Sequence, residues 1–152
     1  MKHKKSAFTM IELVFVVVII GILASVAIPR LSATRDDAVI TKARTTVASI
    51  RNALAMERQK RILRGDFTAI TSVGTSNIYA FSIFSPDKNG NQDDVLEYKV
   101  NSSIEKGKWD FNATGIDEYT FHMLGDVAFK IDNRGKFVCV DETSDGCKQL
   151  TN

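Results

Sequence analysis

The chain has 152 residues, of which 44% are hydrophobic and 25% charged, with 20 Lys and Arg against 18 Asp and Glu and a formal charge of +2. That length favours one domain with an appendage, and the near balance of charge excludes a nucleic-acid binder built on bulk positive charge. The charge is also unevenly placed: Lys2, Lys4 and Lys5 lie ahead of a stretch, Leu13 to Pro29, with no charged residue at all.

Residues 1–7 are basic and polar, and Phe8 to Pro29 is an apolar segment broken by Thr9, Glu12 and Ser25. As a helix rising about 1.5 Å per residue, it is long enough to cross a bilayer core. The lysines on its short N-terminal side favour an N-in orientation. Beyond Pro29 the apolar residues become periodic. Ile40, Ala43, Val47, Ile50 and Leu54 recur at spacings of three and four, a narrow stripe on one helical face. Arg35, Asp36, Asp37, Lys42, Arg44 and Arg51 occupy the other faces and call for water. Gly65 follows the cation-rich "RQKRILR" and is the expected stop. One helix is therefore predicted from about Phe8 to Arg64, apolar all round in its first half and amphipathic in its second.

From Phe67 onward the texture is that of short strands. "NIYAFSIF" (Asn77–Phe84), "VLEYKV" (Val95–Val100), "EYTFHM" (Glu118–Met123) and "VAFKI" (Val127–Ile131) are β-branched and aromatic. "VAFKIDNRGKFVCV" predicts a hairpin turning at Asp132–Gly135, with Phe129 and Phe137 in one core. Cys139 and Cys147 are the only cysteines. Behind an export-like N-terminus they read as one disulfide in an oxidising compartment; free thiols are the alternative in a cytosolic chain.

Catalytic chemistry has little to work with. The histidines are His3 and His122, and the second lies in an alternating run that suits a half-buried structural role. No G-x-S-x-G, H-E-x-x-H, GxGxxG or P-loop occurs, so the expectation is a protein that is not an enzyme. One loop has the oxygen pattern of a hard-cation site: Asp87, Asn89, Asn91 and Asp93 alternate around Gly90. Such alternation suits calcium at about 2.3–2.6 Å, although the spacing is not that of an EF-hand. The alternative is a solvated turn, since Asp, Asn and Gly are default turn residues. Asp141, Glu142 and Asp145 form a second acidic group between the cysteines, with the same two readings. "KGKW" (Lys106–Trp109) is a faint basic and aromatic patch, better read as a turn beside a core tryptophan.

"KKSAFTMIELVFVVVIIGILASVAIP" resembles the class III leader and N-terminal helix of type IV pilins and type II secretion pseudopilins, whose pattern is close to G-F-T-L-I-E. The resemblance implies cleavage by a prepilin peptidase between Ala7 and Phe8 and N-methylation of Phe8, although the residue before the cut is Ala7 where the family usually has glycine. It implies that Glu12 is the assembly glutamate, pairing with the α-amine of a neighbouring subunit, and that Gly21 and Pro29 soften the helix. A calcium site in the C-terminal loops of major pseudopilins gives the Asp87–Asp93 loop family support, though that loop lies earlier in the chain.

The expectation is thus an α+β, pilin-like subunit: residues 1–7 a leader, 8–29 a transmembrane assembly helix, 30–64 an amphipathic helix, and 65–152 a periplasmic β-rich head with a C-terminal disulfide loop. It would be stored in the inner membrane, N-terminus cytoplasmic before processing, and built into a filament with other copies and related subunits. The implied partners are the prepilin peptidase, the lipid bilayer and an assembly platform with a separate ATPase motor. A type II secretion pseudopilin is favoured. A competence DNA-uptake or surface type IV pilus subunit is the alternative, and only the competence reading involves nucleic acid. A third reading is an ordinary signal peptide cut after Ala27 in "ASVA" (Ala24–Ala27), releasing a soluble exported protein.

Overall fold

Thr9 starts the longest element. In the computed structural model, which describes residues 8–74, 78–112, 117–123 and 125–151, its hydroxyl accepts the Glu12 N–H at 3.3 Å and its carbonyl the Leu13 N–H at 3.2 Å. Those bonds open helix α1, Met10–Leu63, and the first satisfies a donor that a helix start otherwise leaves unpaired. Gly65 closes it in a left-handed conformation, φ 71°. Its N–H reaches the Ile62 carbonyl at 2.9 Å, and the Asp66 N–H reaches the Arg61 carbonyl at 2.9 Å. That pair of bonds is the Schellman stop, which only glycine fills without strain. Lys2, Lys4, Lys5, Ala7 and Asn77 fall outside the described residues.

The chain divides into two compact units, one up to Ala38 and one from Val39 to Asn152. In the first, the helix keeps Ile11, Val14, Phe15, Val18, Ile22 and Val26 exposed. In the second, the helix buries Ala43, Val47, Ile50 and Leu54, and Ile40 packs against them half-buried. The stripe then continues in polar residues: Glu57 and Arg61 are buried too. Arg61 Nε donates to Glu57 Oε1 at 2.8 Å, and its other nitrogens donate to the carbonyls of Ser85 and Pro86. A guanidinium with this many acceptors tolerates burial; an unpaired one would not.

Two sheets complete the second unit. The smaller pairs β1 (Tyr79–Phe81) with β2 (Val100–Asn101). The larger is an antiparallel meander of β3 (Trp109–Asn112), β4 (Glu118–Phe121), β5 (Val127–Ile131) and β6 (Phe137–Cys139), in chain order. Alternation sends Trp109, Phe111, Tyr119, Phe121, Phe129 and Phe137 to one buried face. The register sets Tyr119 opposite Phe129 and Phe129 opposite Cys139. The Phe129 and Phe137 rings stack at 5.0 Å, and Phe81 stacks on Tyr119 at 5.3 Å. Each such pair contributes about 0.5–1.5 kcal/mol beyond its burial. The β5–β6 turn falls at Asp132–Gly135, with Gly135 at φ 73° and the Asp132 carboxylate accepting the N–H groups of Arg134 and Lys136. The disulfide Cys139–Cys147 then ties β6 to a short helix α2, Asp145–Thr151.

Three of the expected strands change. "NIYAFSIF" yields only Tyr79–Phe81, and "EYTFHM" stops at Phe121. "VLEYKV" is mostly irregular, with Tyr98 and Glu97 exposed and pairing confined to Val100–Asn101. Strand β3 and helix α2 have no counterpart among the expected elements.

Candidate functional site

Met10–Ile28 is long and apolar enough to cross a membrane, and none of it is buried inside the molecule. Each large apolar side chain left in water forgoes about 1.5–3 kcal/mol of burial, so this surface needs lipid or other helices around it. Within that surface Glu12 is alone as an acid, and it sits in the first turn of α1. There the unpaired N–H groups of a helix start favour negative charge by about 0.3–1 kcal/mol. Thr9 and Glu12 stand three apart, the spacing of a capping box, and the Thr9 half of that box is formed. The sequence carries that signal in "TMIE", where a threonine stands three residues before the acid. Phe8 is exposed, Gly21 has no neighbour within 4 Å of where a Cβ would stand, and α1 continues through Pro29.

The oxygen-rich loop is arranged as a turn. Asp87 Oδ1 accepts the N–H groups of Asn89 and Asn91, each at 2.8 Å, and Oδ2 accepts the Asn91 side-chain amide at 3.2 Å. The N–H bond from Asn91 does most to hold the Asp87 carboxyl below the usual carboxylate range. Asp93 instead pairs with Lys60, on α1. Asp87 and Asn91 are thus brought together, while Asp93 is spent on a cation of the protein's own. Three N–H donors thus face the Asp87 carboxylate and a lysine faces Asp93, so the loop is held as a turn by the protein's own donors. Among the described residues, no three His, Cys, Asp or Glu side chains gather in a way that could hold a metal.

His122 is half-buried; its Nδ1 lies 3.1 Å from Asp126 Oδ1 and its Nε2 4.0 Å from Asp110 Oδ2. Among the described residues it has no nucleophile hydrogen-bonded to it. Trp109 is a core residue beside the turn at Gly107. In the disulfide loop, Asp141 accepts the Thr143 hydroxyl at 2.6 Å and its N–H at 2.9 Å, which lowers its pKa.

A long, uncovered apolar helix start joined in sequence to an α+β unit is consistent with a pilin-like fold. Residues 2–28 match the prokaryotic N-terminal methylation motif. The chain is 40% identical over 55 residues to type II secretion system core protein G of Aeromonas hydrophila, covering 36% of this chain and 38% of that protein. It is 43% identical over 54 residues to the Vibrio cholerae core protein G and 40% over 55 residues to that of Pseudomonas aeruginosa, covering 37% and 39% of their lengths. The similarity thus spans well under half of these relatives. No solved structure matches the chain.

Proposed function

We propose that this chain is a structural subunit of a type IV pilus-like filament, and specifically a type II secretion pseudopilin. The observation that carries the reading is the uncovered apolar surface of Met10–Ile28 with Glu12 in its first turn. A carboxylate inside a membrane costs about 2.5–3.5 kcal/mol on insertion scales, and a nearby positive charge offsets that cost. Cleavage between Ala7 and Phe8 creates such a charge, the α-amine that the peptidase then methylates on Phe8. Glu12 of one subunit pairs with the amine of its neighbour and sets the stagger between them.

Before assembly the helix of residues 8–29 lies in the inner membrane, and residues 30–152 face the periplasm, where the disulfide persists. On assembly, lipid contacts are exchanged for helix packing, with Gly21 and Pro29 giving the local freedom to adjust. Proline removes one helical hydrogen bond, here the acceptor role of the Ser25 carbonyl. Work for extraction comes from the motor of a separate platform. The similarity of about a third of the chain to core protein G favours secretion over DNA uptake or surface display. Loss of protein secretion on deletion, with DNA uptake intact, is the expected phenotype.

Glu12→Ala is expected to leave processing and insertion intact while abolishing filaments in electron micrographs of sheared cells. Normal filaments from that variant would overturn the pairing account. N-terminal sequencing of the mature chain is expected to begin at Phe8; a start at Ile28 would instead make the apolar segment a discarded signal peptide.

A further inference from the structure

A groove of about 620 Å³ runs between α1 and the β5–β6 hairpin, and its lining includes Arg51, Leu54, Arg58, Arg134, Lys136 and Phe137. Its four cations are exposed. Arg51 Nε donates to the Phe137 carbonyl at 3.2 Å, and Arg58 Nη1 to the Arg134 carbonyl at 2.7 Å. These bonds fix two guanidinium groups at the groove edge and leave each of them further N–H donors. Among the described residues none of the four cations forms an ion pair with a carboxylate. Asp132, the acid of the same turn, aims Oδ1 at the N–H groups of Arg134 and Lys136 and so offsets only part of the charge. A fixed cluster of this kind over apolar side chains suits an anionic ligand that also has a small apolar or neutral body.

The chain carries such a ligand. Between its cysteines, "VDETSDG" presents Asp141, Glu142 and Asp145 at exposed positions, with Lys148 the one cation in the stretch that follows Cys139. The segment is preorganised. The disulfide closes it, Asp141 holds Thr143 in a turn, and Ser144 caps α2 by accepting the Cys147 N–H at 3.2 Å. A closed, capped loop loses little entropy on docking. Two other acids are already engaged, Asp93 with Lys60 and Asp94 with Lys99. Glu142 has no partner among the described residues, and the Asp145 side chain is 94% exposed, with Lys148 at 3.7 Å.

We infer that the basic groove of one copy receives the acidic disulfide loop of the next copy. The two surfaces are different patches of the same chain, so the contact is heterologous. Repeated without closure, it propagates a filament instead of capping a dimer. The inference rests on the filament reading and adds to it a second inter-subunit contact, outside the apolar helix, that sets which face of each head meets its neighbour. Because both sides are exposed charges, the contact weakens with salt.

Charge reversal in the full-length chain tests it. Arg134→Glu with Lys136→Glu on the groove side, or Glu142→Lys with Asp145→Lys on the loop side, is expected to lower filament yield by about tenfold or more, the scale of like-charge juxtaposition at an interface. Combining the four substitutions restores the opposite charges and is expected to return most of the yield. Disulfide formation and protease resistance of each variant check that it has folded. Zero-length carbodiimide coupling of mixed isotope-labelled and unlabelled chains is expected to give a Lys136–Glu142 peptide joining one label to the other. Filaments unaffected by either reversal, loss without rescue, or a coupling confined to single chains overturns the contact. Each of those results leaves the filament reading standing if Glu12→Ala still abolishes assembly. A wild-type chain that never forms filaments overturns both.

Discussion

Helix α1 has the same backbone geometry in both units, yet its two parts solve opposite problems. In the first unit Met10–Ile28 offers an apolar surface on every side and buries none of it within the chain. In the second, a stripe from Ala43 through Leu54 is buried, and the other faces hold Lys42, Arg44, Arg51 and Arg58 in solvent. Apart from the one bond that Pro29 cannot donate, both parts are α-helical throughout, so the backbone does not distinguish them. What differs is where the apolar area goes. The second part closes its account inside the molecule, against the aromatic face of the sheet, and the first leaves its own to a surrounding medium or to other copies.

Replacing one aromatic residue in each part gives the widest contrast. Phe137→Ala removes a ring that is 1% exposed and contacts Phe81, Tyr119 and Phe129. It is expected to cost about 3–5 kcal/mol, as buried aromatic truncations do. Phe15→Ala removes a ring that is 66% exposed, and is expected to leave the denaturation midpoint of the second unit unchanged. Urea titration of the full chain in detergent, followed by near-ultraviolet dichroism, measures both. Equal effects from the two substitutions would erase the distinction drawn here.

A smaller effect probes the polar end of the stripe. Glu57→Ala leaves Arg61, 2% exposed, without its carboxylate. The loss is expected near about 3 kcal/mol, the low end for breaking a buried pair, because the Ser85 and Pro86 carbonyls still accept from the guanidinium. The double variant Glu57→Leu with Arg61→Leu is expected to recover much of that loss, since neither charge then remains buried. A double variant less stable than Glu57→Ala would show that the arginine holds the loop at Ser85 chiefly through its bonds to those carbonyls.

This pair also marks where the sequence stopped being readable. Ile40 to Leu54 announced a buried face because apolar spacing alone carries that signal. Glu57 and Arg61 continue the same spacing, but a charged side chain on a helix is normally read as solvated. Their burial depends on carbonyls delivered by a loop more than twenty positions away, which no local pattern reveals. The strands divide in the same way. "VAFKI" was legible because its alternation and the Asp132–Gly135 turn agree. "WDFN" was not, since Asp and Asn are poor strand formers, and its pairing with Glu118–Phe121 is what makes it a strand. "VLEYKV" looked like a strand on composition, yet Val95 spends its N–H on Ser82 and Tyr98 stays in solvent. The N-terminal motif needed no tertiary information, and Glu12 was the clearest signal in the chain. The loop at Asp87 shows its oxygens in sequence, whereas the N–H groups of Asn89 and Asn91 that turn toward the Asp87 carboxylate are invisible there.

The smallest effect, and the one most confined to the second unit, is acid sensitivity through Asp66. This buried carboxylate follows the α1 stop, and it accepts the Lys88 N–H at 3.0 Å, the Thr68 hydroxyl at 2.6 Å and the Thr68 N–H at 2.8 Å. Those bonds, the Lys88 N–H foremost, lower its pKa from 3.8 to about 2. The folded state therefore prefers the charged form more strongly than the unfolded chain does. Its stabilising contribution is complete above the unfolded value, near pH 4, and is lost as pH falls from there through about 2. Asp87, Asp132 and Asp141 shift in the same direction through N–H and hydroxyl donors of their own turns. Asp66→Asn keeps one acceptor oxygen but turns an amide toward a donor. It is expected to lower stability at neutral pH and to flatten the decline between pH 4 and 2, read as urea midpoint against pH. An acid limb as steep as that of the unsubstituted chain would assign the sensitivity to the other three carboxylates and overturn the role given to Asp66.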